Sequence, residues 1–130
     1  MLASSKPMAF VATSDPARAL VFYRDTLDLK FVADEPFALI FYSSGTMLRV
    51  QKVKEVAKAQ YTALGWEVED IQARIHELGE KKVELLRLEG FGQDDLGIVT
   101  FPNGDQVAWF NDPDGNILSI TQFAAGRAGA

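Results

Sequence analysis

Apolar and polar residues follow the same order in the two halves of the chain. Residues 9–20 and 64–75 each contain a short apolar run, then an acidic residue, then apolar positions at helical spacing. Asp15 and Asp70 stand where a helix N-cap is expected, and Pro16 follows at a first helical position, where its missing N–H costs nothing. Two helices are therefore predicted, and the second has an apolar face formed by Ile71, Ile75 and Leu78.

A second pair of similar segments, 38–50 and 108–120, has the pattern of a strand, a turn containing Gly and another strand. Each of these segments predicts a hairpin. Further strands are predicted at 30–33, 83–88 and 98–101. The order of one strand, one helix and three strands thus occurs twice, which indicates an α+β fold made of two βαβββ modules.

This repeat also predicts how the chain is divided. We expect a single domain over residues 1–130, made of a first module at 7–51, a charged linker with some helical character at 52–60, a second module at 61–123 and a frayed tail at 124–130. The second half carries an extra Gly-containing loop at 89–97. Such a loop is compatible both with a lid over a site and with an ordinary solvated connection.

The composition argues against several classes of function. The 130 residues include 13 Lys and Arg against 18 Asp and Glu, a net charge of −5, so nucleic acid is not an expected partner. No Cys is present and there is one His, so thiolate sites are excluded and one chain cannot supply a metal site with several His ligands; only carboxylates could supply the other ligands. No apolar run could span a membrane, and residues 1–7 lack the features of a signal peptide, so we expect a cytoplasmic protein.

Three motifs in this order resemble the vicinal oxygen chelate superfamily, which includes glyoxalase I, bleomycin-resistance proteins and extradiol dioxygenases. They are the Phe-Tyr-Arg-Asp-x-Leu run within residues 14–29, Trp66-Glu-Val-Glu-Asp70 and Asn111-Asp-Pro-Asp-Gly-Asn116. The resemblance implies curved mixed sheets that form a concave cleft, and a homodimer. One departure is Asp28, where the family has Gly; Asp tolerates a left-handed backbone better than most residues.

The resemblance also implies four strand positions that hold a metal in many members, and here they are Met8, Arg49, Ala63 and Ser119. Ala has no donor atom, and the Met thioether is too soft for the hard divalent metals of this family. Arg is permanently cationic and Ser is a poor ligand by itself. We therefore expect no metal and no other cofactor.

The same positions predict what the concave face contains. Because side chains alternate along a strand, Phe10 accompanies Met8, Met47 accompanies Arg49, and Glu67 accompanies Ala63. Arg49 needs a partner on such an apolar face, either Glu67 or an anionic ligand. Trp109 is assigned either to the cleft or to the core. The expected ligand-binding residues are Met8, Phe10, Met47, Arg49, Ala63, Glu67, Trp109 and Ser119.

Other candidate chemistry is weak. His76 lies in the middle of the second predicted helix and is expected to be exposed. The segment Asp112–Asn116 has the residues of a calcium loop but not its spacing, and is expected to be a hairpin turn held by Asp side chains.

We therefore expect a metal-free protein that sequesters or carries a small aromatic or anionic organic molecule, with no residue assigned to catalysis. Two enzymatic alternatives stay open. One is a metal-independent reaction with Glu67 as base and Arg49 stabilising an anion. The other is a metal-dependent glyoxalase- or dioxygenase-like reaction at ligands other than those four positions. A module whose cleft is filled by side chains is a third possibility.

Overall fold

The computed structural model describes residues 1–126. Contacts within the chain divide it into two units. The first contains Met1–Ala59 together with the short segment Asp112–Asn116, and the second contains Gln60–Asn111 together with the segment that begins at Ile117. Within the described part of the chain, no helix is long and apolar enough to cross a membrane.

The first unit is a βαβββ module, as predicted. Its strands form one mixed sheet in the order β1-β4-β3-β2, in which β1 and β4 are parallel and the other pairs antiparallel. The helix continues into one π-helical turn, Phe22–Thr26. The elements are β1 (Met8–Thr13), α1 (Pro16–Val21), β2 (Lys30–Asp34), β3 (Ala38–Ser43) and β4 (Thr46–Lys52).

Local chemistry sets the ends of the first helix. The Asp15 carboxylate accepts a hydrogen bond from the backbone N–H of Arg18 at 3.2 Å, and Pro16 follows it, so the predicted cap is confirmed. After the π-helical turn, Asp28 adopts a φ of +59°, a left-handed conformation that Asp tolerates better than most residues.

One face of the first sheet forms the core of this unit. Side chains of β1, β3 and β4 alternate, and five large apolar ones on the helix side are at most 5% exposed. Tyr23 covers Phe41 with a ring separation of 5.8 Å. The buried residues of this sheet face are Val11, Leu39, Phe41, Leu48 and Val50.

The second unit repeats the arrangement, with a sheet in the order β5-β8-β7-β6. Asp70 caps its helix by accepting from the N–H of Ala73 at 3.1 Å. The helix buries Ile71, Ile75 and Leu78, as predicted from their spacing. The elements are β5 (Thr62–Glu67), α2 (Ile71–Glu80), β6 (Val99–Thr100), β7 (Gln106–Asn111) and β8 (Ile117–Gln122).

The predicted strand at 83–88 is wrong, because only an isolated bridge joins Leu85 to Phe110. The side chain of Gln93 accounts for the difference. Its amide oxygen accepts from the N–H of Leu88 at 2.6 Å, and its amide nitrogen donates to the carbonyls of Leu86 and Gly97, both at 2.8 Å. These backbone groups therefore bond to a side chain instead of extending a ladder.

Two smaller predictions also need correction. The predicted strand at 98–101 is only two residues long, and the linker at 52–60 contains no helix. Of the predicted frayed tail, residues 127–130 lie outside the described part of the chain. The backbone N–H of Ala124 donates to the carboxylate of Asp105 at 2.9 Å.

Candidate functional site

The face of the first sheet that does not meet α1 brings together four of the predicted site residues. Met8 pairs with Met47 across β1 and β4, and Phe10 pairs with Arg49, so these side chains share one face. Residues of β3 extend the same surface, because Ile40 is the partner of Arg49 and Tyr42 is the partner of Met47. We call this surface the first-sheet face; it consists of Met8, Phe10, Ile40, Tyr42, Met47 and Arg49.

The first-sheet face is apolar and partly open to solvent. Met8, Phe10 and Tyr42 are 52%, 45% and 38% exposed, whereas the helix-side face is closed. Tyr42 and Ile40 were not predicted as site residues. The Gly45 turn could have identified them, because it fixes the pairing of β3 with β4 and hence the face of every residue in β3.

Arg49 is the one charged side chain among these six residues, and Lys30 of β2 is the cross-strand partner of Tyr42 at the far edge of the sheet. Its guanidinium forms an ion pair with Glu35 at 3.8 Å, and the Arg49 and Glu35 side chains are 29% and 50% exposed. This separation is too long for a hydrogen bond, and Arg49 has no hydrogen-bond acceptor among residues 1–126. The sequence suggested Glu67 or a ligand as partner of Arg49, and it gave no reason to single out Glu35.

The corresponding surface of the second unit brings together three more predicted residues. Ser119 pairs with Gly65 on one side and with Trp109 on the other, and Glu67 pairs with Thr121. Trp66 pairs with Ile120 and therefore has the opposite orientation. We call this surface the second-sheet face; it consists of Gly65, Glu67, Trp109, Ser119 and Thr121.

The centre of the second-sheet face is tightly packed. Ser119 is 8% exposed, and a Cβ atom added at Gly65 would lie 2.5 Å from the Ser119 hydroxyl. Any larger residue at position 65 would therefore displace the Ser119 side chain from its present position over β5. Ala63 lies at an irregularity in the register of β5, where it has no cross-strand partner, and it is exposed.

Pairing with Ser119 settles the position of Trp109, which lies on the second-sheet face. Its indole N–H donates to the Thr62 hydroxyl at 3.1 Å. The ring of Phe91, from the loop at 89–97, lies 5.7 Å from the Trp109 ring and inclined by 58°. The loop thus rests on this face, and Arg87 fixes its base by donating to the carbonyls of Asp94 and Asp95 at 2.6 and 2.5 Å.

The segment Asp112–Asn116 is a structural turn, as predicted. One Asp112 oxygen accepts from the backbone N–H groups of Asp114 and Asn116 at 3.0 and 2.9 Å, and the other accepts from the Tyr23 hydroxyl at 2.6 Å. Burial, and then the negative charge of Asp112, raises the pKa of Tyr23.

Asp114, in the same turn, is held by the start of the first helix. Burial acts to raise the pKa of Asp114, but hydrogen bonds from Thr13 and Ser14 and the charge of Arg18 outweigh it and hold that pKa below its usual value. The N–H of Ser14 donates to Asp114 at 3.0 Å. The carboxylates of this turn therefore organise backbone and side-chain donors of the protein itself.

The residues present do not fit the divalent metal that the fold family implies. Met8 and Arg49 lie on the first sheet, and Ala63 and Ser119 on the second, and none of them is a carboxylate or imidazole donor. Within residues 1–126, no group of three or more His, Cys, Asp or Glu side chains is placed to hold a metal ion. His76 is exposed on α2, as expected.

Comparison with known proteins agrees with this architecture. One similar solved structure is a member of the glyoxalase/bleomycin resistance protein/dioxygenase superfamily from Sphaerobacter thermophilus DSM 20745, with 22% identity, 94% of this chain and 99% of that chain covered, and a TM-score of 0.72. A glyoxalase family protein from Enterococcus faecalis has 19% identity, coverages of 93% and 99%, and a TM-score of 0.71. A lactoylglutathione lyase from Agrobacterium tumefaciens has 17% identity, coverages of 91% and 93%, and a TM-score of 0.70. At these identities they show the fold alone. No curated protein sequence matches this chain.

Sequence comparison gives the family directly. The family model described as Glyoxalase/Bleomycin resistance protein/Dioxygenase superfamily matches residues 7–120, which include all three motifs, the first module and nearly all of the second. The repeat of two βαβββ modules, the Asp112–Asn116 turn and this match together show that the chain belongs to the glyoxalase/bleomycin resistance/dioxygenase superfamily.

Proposed function

We propose that this protein binds a small aromatic or anionic organic molecule without a metal, as a carrier or sequestering protein. The observation that carries the proposal is the first-sheet face. Three large apolar side chains, Met8, Phe10 and Tyr42, are between 38% and 52% exposed on it. A contiguous apolar surface of this kind is typical of a ligand-binding or protein-binding site.

The physical gain from covering this surface is substantial. β1 is an edge strand of its sheet, so Phe10 has a strand neighbour on one side only. Each 100 Å² of apolar surface that a ligand removes from water contributes about 2.5 kcal/mol. A planar aromatic ligand would also make ring contacts with Phe10 or Tyr42.

The second-sheet face supports the same class of ligand. Trp109 and Phe91 form an aromatic pair there, and Phe91 is 48% exposed. Their rings offer a second aromatic surface, beside the small side chains of Gly65 and Ser119. The loop at 89–97 would then contact a bound molecule through Phe91.

The residues favour binding over catalysis. A catalytic base is oriented by a second group, whereas Glu67 is exposed and has no hydrogen-bond partner among residues 1–126. The donor set of Met8, Arg49, Ala63 and Ser119 is unsuited to a hard divalent metal. A metal-dependent reaction at other ligands finds no support either, because no group of three or more His, Cys, Asp or Glu side chains within residues 1–126 is placed to hold a metal ion.

We further propose that the protein acts as a homodimer in the cytoplasm and does not bind nucleic acid. The unpaired backbone edge of β1 would suit an interface with a second copy, and the net charge of −5 disfavours nucleic acid. Sedimentation at several protein concentrations tests the dimer directly.

The ligand proposal is tested by titrating ¹⁵N-labelled protein with 2-naphthol, a neutral aromatic probe, and following amide shifts. Saturable shifts are expected in β1, β3 and β4. Phe10→Ser should weaken binding about five- to tenfold, because an aromatic contact is worth about 1–1.5 kcal/mol.

Val21→Ser is the matched control, since Val21 is 51% exposed but lies on α1. It should leave the affinity unchanged. Failure of 2-naphthol to shift any amide of the first-sheet face would contradict the proposal, and so would equal effects of the two substitutions.

A further inference from the structure

We propose that the ligand of the first-sheet face is an organic anion whose carboxylate or phosphate group is bound by Arg49, and that Glu35 is the internal carboxylate it displaces. This inference rests on the proposed function and narrows its substrate class. It makes Glu35 a residue that sets the affinity for the anion, although Glu35 lies in the turn between β2 and β3 and not on a strand of the sheet.

The hydrogen-bonding capacity of Arg49 is unused. A guanidinium has five N–H donors in a fork that suits two oxygens at once. The only anionic atom near Arg49 among the described residues is the Glu35 oxygen at 3.8 Å, beyond hydrogen-bond distance. With 29% of its side chain exposed, Arg49 is accessible to a small anion and is still partly shielded from water.

Two other arginines of this chain each donate two short hydrogen bonds. Arg24 forms a two-bond fork with Asp25, at 2.7 and 3.0 Å. Arg87 donates to two carbonyls, at 2.6 and 2.5 Å. Arg49 has neither arrangement, so the first-sheet face holds a cation without a closely fitted acceptor.

The neighbouring carboxylate does not compete for Arg49. Asp34, next to Glu35 in sequence, contacts the ammonium of Lys52 at 2.5 Å. Lys52 is therefore engaged by Asp34, and Glu35 is the carboxylate left near Arg49. Because the Glu35 side chain is half exposed, it can turn into water when another anion arrives, at little cost in solvation.

The surroundings of Arg49 specify the rest of the ligand. In register, Arg49 lies between Phe10 of β1 and Ile40 of β3, and Ile40 is 3% exposed. Apolar neighbours strengthen a charge-assisted hydrogen bond by reducing the competition from water. A molecule with an anionic group at Arg49 and an apolar or aromatic body over Phe10 and Tyr42 would satisfy both kinds of surface.

A matched pair of probes tests the inference: benzoate, and its neutral counterpart benzamide. Dissociation constants are measured by the shifts of the β4 amides and of the Arg49 Nε–H signal. Wild-type protein should bind benzoate at least fivefold more tightly than benzamide. Arg49→Gln should abolish this preference, and Arg24→Gln, which removes an equal charge from the exposed Asp25 pair, should keep it.

Glu35 gives the more specific result. Glu35→Gln should tighten benzoate binding about two- to fivefold, because loss of a partly exposed ion pair frees Arg49 by about that factor. The affinity for benzamide should not change. Glu55→Gln is the control, since it removes the same charge from an exposed residue of the linker.

Three results would overturn the inference in distinguishable ways. Equal binding of benzoate and benzamide would refute the anion site at Arg49, and a Glu35→Gln effect no larger than that of Glu55→Gln would refute the displacement of Glu35; the proposed binding function would stand in both cases. If neither probe, nor 2-naphthol, shifted any amide of the first-sheet face, the proposed function would fail together with the inference.

Discussion

The hydroxyl of Tyr23 donates a 2.6 Å hydrogen bond to the carboxylate of Asp112, a residue 89 positions later in the chain. Tyr23 is fully buried and Asp112 is 5% exposed. The bond lies within the first unit, to which the segment Asp112–Asn116 belongs, and Asn116 adds a bond to the carbonyl of Ala12 at 2.8 Å. The family motifs around Tyr23 and Asp112, far apart in sequence, thus meet in one buried contact.

Loss of this bond should destabilise the fold. In Tyr23→Phe, the Asp112 carboxylate keeps its burial and loses a donor, so the free energy of unfolding should fall by about 1.5–3 kcal/mol. Urea unfolding measures the difference. Tyr61→Phe, at a side chain 72% exposed, is the control and should change stability by less than about 0.5 kcal/mol. Similar losses in the two variants would show that the Tyr23 bond contributes nothing specific.

The same bond predicts a dependence on alkaline pH. The folded protein holds the pKa of Tyr23 above that of a free phenol, because the phenol is buried next to the Asp112 carboxylate. The unfolded chain releases the Tyr23 proton near pH 10, so its contribution to stability is complete below about pH 10 and is lost as the pH rises further.

Wild-type protein should therefore lose about 1.4 kcal/mol per pH unit above pH 10 relative to Tyr23→Phe. The free energies of unfolding of both proteins between pH 8 and 11 give this difference. The contributions of all other titrating groups are common to both proteins and cancel. Parallel curves would rule out the proposed linkage.

Packing at Gly65 provides a test of the second-sheet face. Since a Cβ atom there would lie 2.5 Å from the Ser119 hydroxyl, Gly65→Ala should cost about 1–3 kcal/mol. The cost should shrink in a Ser119→Ala background, and a double-mutant cycle from urea unfolding measures this coupling.

Gly79→Ala is the matched control, because Gly79 lies within α2 with no atom within 4 Å of the added Cβ. It should raise stability by about 0.5–1 kcal/mol, as replacement of Gly in a helix does. Additive effects of Gly65→Ala and Ser119→Ala would mean that the two residues do not restrict each other.

Much of the fold could be predicted because local patterns determine it. The spacing of Ile71, Ile75 and Leu78 identified the buried side of α2, and all three are at most 8% exposed. Strand alternation placed Phe10 and Arg49 on one face, and the register agrees. These features depend on residues within one or two elements, so the sequence carries them directly.

Features that depend on irregular segments could not be predicted. The proximity of Glu35 to Arg49 follows from the path of a turn, which no periodicity describes. The strand expected at 83–88 failed because Gln93, in the following loop, takes up its backbone hydrogen bonds. Trp109 could be assigned to a face only when its pairing with Ser119 was known.

The most direct test of metal-independent ligand binding is a calorimetric titration of the metal-stripped protein with 2-naphthol, repeated after addition of Zn²⁺ or Ni²⁺. The predicted result is saturable binding of 2-naphthol with the same dissociation constant with and without metal. Neither metal should raise the melting temperature, whereas a metal that binds the folded protein, at a free concentration of a hundred times its dissociation constant, would add about 2.7 kcal/mol of stability. Binding of 2-naphthol only after one equivalent of metal has been taken up, together with a clear rise in melting temperature, would contradict it.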